Sequence, residues 1–432
     1  MKLLNKKPVR IFAIVIIVII LVSSIYFLTM NPRRGTVREF YSSMPLDAVL
    51  TKKEAEQDLT YFYSHLRSRH PGWLDGSQAL IQAVEDQYNN ELVNLKDSVT
   101  VLELWQSAGR IAAQLNDGHT WVKWKNPNTS LYIDNFMQLS DYGSPLDING
   151  VPIGEILDHY LSMTSFELQF YAEAVFYKTV IVAEPLLVFC GVDTSDGVEM
   201  TFETEDGEQT FHYEFVPLER VVRYAGDVND ENWVEYIIDL ENDLGIFTLR
   251  SCVDNEEYRS VLDSFFSEVF ENDLDNVVVD LRGNGGGNSR VANKFLQYLD
   301  VETYRSWDSA IRYGWLLKQN KDVVVNNHKQ PVTFSGDIYV LTDTFTYSAA
   351  MDFAMLISDN DLGVLVGMPS GNLPDSYGDC LFFQMPNSGL MISISYKSWH
   401  RIDSSHAGEP VMPDYVVPSA EAFDKALELI QH

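Results

Sequence analysis

Three short stretches hold residue types that can bind an anion or carry nucleophilic chemistry. They are Asp117-Gly118-His119-Thr120, Asp280-Leu281-Arg282-Gly283-Asn284-Gly285-Gly286-Gly287, and Ser348-Ala349-Ala350. Glycines remove side chains where backbone N–H groups must approach a ligand closely. The glycine-rich turn follows an apolar, β-branched run, Asn276-Val277-Val278-Val279, and precedes a helical stretch over 289–299. A strand, a bare turn and a helix start suit negative charge, either a phosphate or a developing oxyanion. Both nucleotide patterns fail. Asn288 stands where the dinucleotide fingerprint needs Gly or Ala, and no Gly-Lys-Ser/Thr ending of a P-loop is present.

Ser348 stands where a buried strand has ended and a helix begins. A serine there is a ready N-cap. The same geometry exposes a nucleophile at the positive end of the helix, where the next backbone N–H, that of Ala349, can help to hold an oxyanion. A serine nucleophile needs a base, and imidazole can take and return a proton near neutrality. Among nine histidines, His119 is singled out because Asp117-Gly118-His119 marks a helix end between rigid elements. A polar turn residue is the alternative reading. His65, His70, His159, His212, His328 and His432 read as ordinary surface, loop or helix residues, and His400 and His406 stay as second-rank base candidates.

The elements that must position these residues follow from periodicity. A helix starts at Thr51, with Glu54 at the capping-box position and an apolar stripe of Leu59, Phe62, Tyr63 and Leu66. It stops at His70-Pro71-Gly72, and helical patterns recur over 77–95 and 99–115. Trp121-Val122-Lys123-Trp124 then alternates like a strand. Residues 131–235 read as a β-rich module, with hairpin signals at Asn149-Gly150 and Asp206-Gly207 and a helix over 155–163. From Glu235 strands alternate with helices: strand 244–249, helix 256–271, the glycine-turn stretch, strand 337–341, helix 348–357 and strand 363–366. A strand pair over 381–384 and 391–395 closes the pattern. This βαβ order implies a parallel or mixed sheet covered by helices.

The chain has 432 residues, with 31 basic against 62 acidic side chains and a net charge of −31. That balance disfavours a nucleic-acid partner, since phosphate binding needs a basic face. Three widely spaced cysteines, Cys190, Cys252 and Cys380, make neither a disulfide framework nor a metal cluster. Residues 11–30 form an uncharged apolar run of about the length that spans a bilayer. Lys2, Lys6, Lys7 and Arg10 precede it, which places residues 1–10 in the cytoplasm and the rest of the chain across the membrane. A cleaved signal peptide is the competing reading, disfavoured by the run's length and the lack of a small-x-small site.

Taken together with Pro386-Asn387-Ser388-Gly389 and Val411-Met412-Pro413-Asp414, the three stretches resemble the C-terminal processing (tail-specific) serine peptidases over residues 50 to 420. The resemblance implies an α/β sandwich core, residues 236–432, with a PDZ-like insert, 131–235, after a helical N-terminal part, 51–130. A tether, 31–50, would join these to the anchor. It implies Ser348 as nucleophile, and an oxyanion hole from Gly285, Gly286 and Ala349. Of the family's two variants, the Ser–Lys dyad lacks its lysine here, because the segment reads Ser370-Gly371-Asn372-Leu373-Pro374 and Lys397 is too far along. His119 matches the base of the tricorn-core-like variant, whose late acid would be Glu409, or else Asp403. The expected protein is a membrane-anchored, extracytoplasmic serine peptidase acting on proteins or peptides, with no metal or organic cofactor. A non-catalytic binding protein on the same fold, and an envelope-directed esterase or amidase, are the other readings.

Overall fold

A six-stranded mixed sheet carries the glycine turn and Ser348 in the computed structural model, which describes residues 6–127, 129–222 and 232–431. Its strands run in the order Val234–Asp239, Leu244–Leu249, Asn276–Asp280, Asp337–Thr342, Val364–Gly367 and Tyr415–Val416. The first pair is antiparallel and every later pair is parallel. Parallel neighbours need crossovers, and helices Glu256–Glu271 and Ala349–Ser358 supply them. Strand Asn276–Asp280 is buried on both faces. Val277 and Val279 meet Phe265, Phe295 and Phe353, while Val278 belongs to a second cluster with Leu341, Ala422 and Ala426. This two-sided burial explains why the strand is a continuous apolar run.

A second, antiparallel sheet holds the base segment. Strand Met391–His400 pairs with Ser376–Gln384 on one side. On its other side it pairs with Asp308–Tyr313 through 397–400 and with Trp121–Lys123 through 391–393. Helices Lys52–Arg69, Gln78–Val93 and Val101–Ala113 pack beside it in one apolar cluster. The Thr51/Glu54 capping box forms as expected, and Thr100/Glu103 makes a second one. The hairpin Asp308–Tyr313 with Leu316–Asn320, unread in the sequence, extends this sheet.

The segment 131–235 is more helical than its β-rich reading. A four-stranded antiparallel sheet contains both expected hairpins. Helices Phe136–Tyr142, Ile153–Ser162, Gln169–Val175 and Glu184–Phe189 accompany it. Ala172, Phe176 and Val180 recur at helical spacing and are buried in the same cluster as the N-terminal helices. Residues 223–231, near the end of this segment, lie outside the described residues, as do residues 1–5 of the N-terminal tail.

Helix Lys6–Ile25 continues as a π-helical turn, Tyr26–Met30. Its apolar part, Ile11–Met30, has a mean hydropathy of 3.1 and is not buried by the protein. The following tether is laid along the folded domain rather than left free. Arg69 Nε donates to the Pro32 carbonyl at 2.9 Å, and Val37 N–H donates to that of Phe382 at 2.9 Å. Ser43 N–H likewise donates to Lys125 O at 2.8 Å.

Candidate active site

Strand Asp337–Thr342 leads through the turn 343–347 into helix Ala349–Ser358, with Ser348 between them. Ser348 adopts φ +54 and ψ −121, a conformation costly for a residue with a Cβ. Its N–H donates to Asn372 Oδ1 at 2.7 Å, which holds the strained residue in place. The side chain is thereby turned toward His119, whose Nε2 lies 3.0 Å from Ser348 Oγ.

The glycine turn is stitched against this elbow. Gly283 N–H donates to Asp343 Oδ1 at 2.9 Å, Tyr347 N–H to Asn284 O at 3.0 Å, and Thr346 Oγ1 to Leu281 O at 3.0 Å. Asp280 anchors the approach through Arg250 and Arg282, each 2.8 Å from its Oδ2. Burial pushes the Asp280 carboxyl up, but the two guanidinium groups outweigh it and hold the carboxyl at about 2. Gly286 has φ +93, and a Cβ there would lie 2.6 Å from Tyr347 O, 2.7 Å from Ser348 Cβ and 2.8 Å from Ala349 N. Glycine is required at that approach.

The expected oxyanion donors separate into two kinds. Gly286 N–H donates to Asn284 Oδ1 at 2.8 Å, so its hydrogen is already committed and its role is steric. Gly285 is exposed, and neither its N–H nor that of Ala349 has an acceptor among the described residues.

His119 stands on the turn after helix Val101–Ala113 and before strand Trp121–Lys123. Its N–H donates to Asp117 Oδ1 at 2.9 Å, and its carbonyl accepts from Ser393 Oγ at 2.8 Å. The ring packs 5.1 Å from that of Tyr347, which is stacked on Tyr171. Burial lowers the imidazole pKa below its ordinary value; the charges of Asp117 and Asp379 and the Tyr377 backbone oppose this. A neutral ring near pH 7 is the state a general base needs.

The structure does not bring the expected late acids to this ring. Glu409 instead meets Nδ1 of His406 at 2.9 Å on the surface, and Asp403 accepts from Ser405 at 2.7 Å. Both sit in the surface turn around 403–409, where local partners satisfy them. The carboxylate beside His119 is Asp117, with Oδ1 3.8 Å from Nδ1. His70, which looked ordinary in the sequence, is fully buried and brings Nε2 to 3.1 Å from Asp117 Oδ2. Gly72 N–H donates to His70 Nδ1 at 3.1 Å, which leaves the proton on Nε2, directed at Asp117. Burial pushes the Asp117 carboxyl up, but the His70 hydrogen bond and the two histidines hold it at about 2. Lys397, too far along the chain for a dyad, pairs with Asp379.

Glu167, also missed, reaches the site from the loop after helix Ile153–Ser162. Its Oε2 lies 3.5 Å from the Tyr347 hydroxyl, and Oε1, like His119 Nδ1, is buried without a hydrogen-bond partner among the described residues. Burial first, and the Asp117 charge second, raise its carboxyl to about 8, so it is neutral at pH 7. Asp117, His119 and Glu167 each bring one ligand-type atom to within 4.8 Å of the others, so among the described residues these could hold a metal ion. Gly118 is small for a reason. A Cβ there would overlap the Tyr347 hydroxyl and lie 3.0 Å from Glu167 Oε2. Only the motif Asp-Gly-His signalled this cluster; nothing local to Glu167 or His70 did.

A cavity of about 730 Å³ lies on the other side of the Asp117 turn, lined by Trp105, Trp121, Trp124, Tyr160 and Ser165. Ser165 Oγ accepts the Asp117 N–H at 2.9 Å. Ser348, His119 and the glycine turn do not line this cavity.

A strained serine facing a histidine, on a glycine-lined sheet edge, is an arrangement able to carry acyl transfer. The model of peptidase family S41 matches residues 243–417. The fold is similar to that of mature CPAF, at 13% identity and TM-score 0.62, covering 87% of this chain and 96% of that one. It is similar to mature CPAF complexed with lactacystin, at 14% identity and TM-score 0.60, covering 88% and 97%. A putative peptidase from Parabacteroides merdae matches at 16% identity and TM-score 0.51, covering 89% and 98%.

Proposed function

We propose that this chain is a membrane-anchored, extracytoplasmic serine peptidase that cleaves proteins or peptides through an acyl-enzyme. The 3.0 Å contact between His119 Nε2 and Ser348 Oγ carries the reading. Ser348 Oγ attacks the substrate carbonyl carbon while its proton passes to His119 Nε2. The oxyanion is held by the N–H groups of Ala349 and Gly285, which are free to donate. The imidazolium then protonates the leaving amine as the C–N bond breaks. Water, deprotonated by the same ring, attacks the acyl-enzyme and releases the acid.

Asp117 is the acid of this reading in place of Glu409 or Asp403. It is charged, fixed by His70, and 3.8 Å from His119 Nδ1. Catalytic contacts of this kind often tighten only when substrate is bound. A Ser-His mechanism of the tricorn-core-like kind fits better than a Ser–Lys dyad, because Asn372, not a lysine, meets the nucleophile backbone. A PDZ-like role for the insert is supported by its antiparallel sheet and the following helix Ile153–Ser162. The apolar helix Ile11–Met30, with Lys2, Lys6, Lys7 and Arg10 ahead of it, supports a single span with the N-terminus cytoplasmic.

The test is labelling with a fluorophosphonate probe. Wild type should label and Ser348→Ala should not. Undiminished labelling of Ser348→Ala would remove the serine from the mechanism.

A further inference from the structure

We propose that the tip of the hairpin Asp308–Tyr313/Leu316–Asn320 rests in the lipid–water interface, as a second membrane contact beside the N-terminal helix. The proposal builds on the membrane-anchor reading. Gly314, the hairpin turn, has φ +57 and touches the last turn of that helix, where a Cβ would overlap the Thr29 carbonyl. Thr29 and Met30 end the apolar run Ile11–Met30. A run of that length is about the thickness of the hydrocarbon core, so its last turn lies at the membrane boundary.

The residues next to Gly314 suit that depth. Trp315 is 66% exposed and Leu316 51% exposed. A single exposed apolar residue is ordinary on any protein surface. Here a tryptophan and a leucine stand together beside the end of a span, at the level where indole rings favour the headgroup region. Tyr26 and Phe27 are exposed on the helix at nearly the same height. Lys318 and Lys321 are exposed just beyond the tip, and Arg33 and Arg34 follow the helix. In a chain of net charge −31, these cations stand within reach of lipid headgroup phosphates.

The arrangement is braced. Arg312 Nε donates to Gly314 O at 2.8 Å, and its Nη1 donates to His70 O at 2.5 Å. Arg34 Nη1 donates to Leu28 O at 2.6 Å, and Arg69 holds the Pro32 carbonyl. Helix end, tether and hairpin therefore present one continuous face to the bilayer. Two contacts, unlike one, would fix the orientation of the domain above the membrane.

The test uses the full chain in bilayer discs made from phosphatidylcholine brominated near the headgroup end of its acyl chains. Bromine quenches nearby indoles, so wild type should be quenched and Trp315→Phe should lose more than half of that quenching. Leu316→Asp, which lifts the tip, should reduce quenching of Trp315 while fluorophosphonate labelling stays at the wild-type level. Equal quenching of wild type and Trp315→Phe would overturn the proposal, as would unchanged quenching in Leu316→Asp. Failure of the anchor itself reads differently: the chain would then not float with lipid vesicles at all.

Discussion

His70 Nε2 lies 3.1 Å from Asp117 Oδ2, and both side chains are fully buried. The pair ties the end of the first core helix to the turn that carries His119. Removing the donor to a buried carboxylate oxygen costs about 1–3 kcal/mol, or more for a charged group. His70→Ala should lower unfolding stability by that order and slow fluorophosphonate labelling. Chemical denaturation and labelling rates check both effects.

The identity of the acid is separable. Asp117→Asn should cut the labelling rate by as much as about 10⁴-fold, the loss seen when a triad aspartate becomes an amide. Glu409→Gln and Asp403→Asn, whose side chains meet only His406 and Ser405, should stay within about twofold of wild type. A large loss in Glu409→Gln with a small one in Asp117→Asn would reverse the assignment.

Glycines in the two loops should differ in tolerance. Gly286→Ala meets backbone atoms at 2.6 and 2.8 Å and should abolish labelling. Gly285→Ala meets nothing within 4 Å, keeps its N–H, and should retain activity. Gly118→Ala overlaps the Tyr347 hydroxyl, so Tyr347→Phe in the same chain should recover part of its loss. Labelling rates across the four variants read this directly.

Labelling by wild type should rise with pH through a midpoint below the ordinary histidine value of about 6.5, since burial favours the neutral His119 ring. A midpoint above that value would contradict a buried, neutral base.

Stability should pass through a maximum in mild acid. Glu167 is raised to about 8 and Asp352 to about 7, chiefly by burial, so the folded state holds more protons than the unfolded one between the ordinary carboxyl range and those values. Stability therefore falls as pH rises through that window. Asp117 and Asp280, held at about 2, act the other way, and their contribution is lost as pH falls toward 2. Glu167→Gln should flatten the alkaline loss, which urea unfolding at a series of pH values would show.

Much of the core was legible because local sequence carries it. Strand Asn276–Asp280 declares two-sided burial by its valines, the elbow declares itself by a serine between strand and helix, and Thr51 with Glu54 writes its own cap. The four-helix content of 131–235 was hidden by short, turn-broken segments whose apolar residues meet partners far away in the chain.

By itself, the sequence singled out Ser348, His119 and the glycine turn, since each is a distinctive residue type at a local bend. Only the tertiary structure decided what surrounds His119. Glu409 was expected by order along the chain, whereas the carboxylate that lies beside the ring is Asp117. Folding places Asp117 beside the ring, His70 behind it and Glu167 against Gly118, from three separate elements. It also commits the Gly286 N–H to Asn284, a contact no reading of glycine spacing could supply.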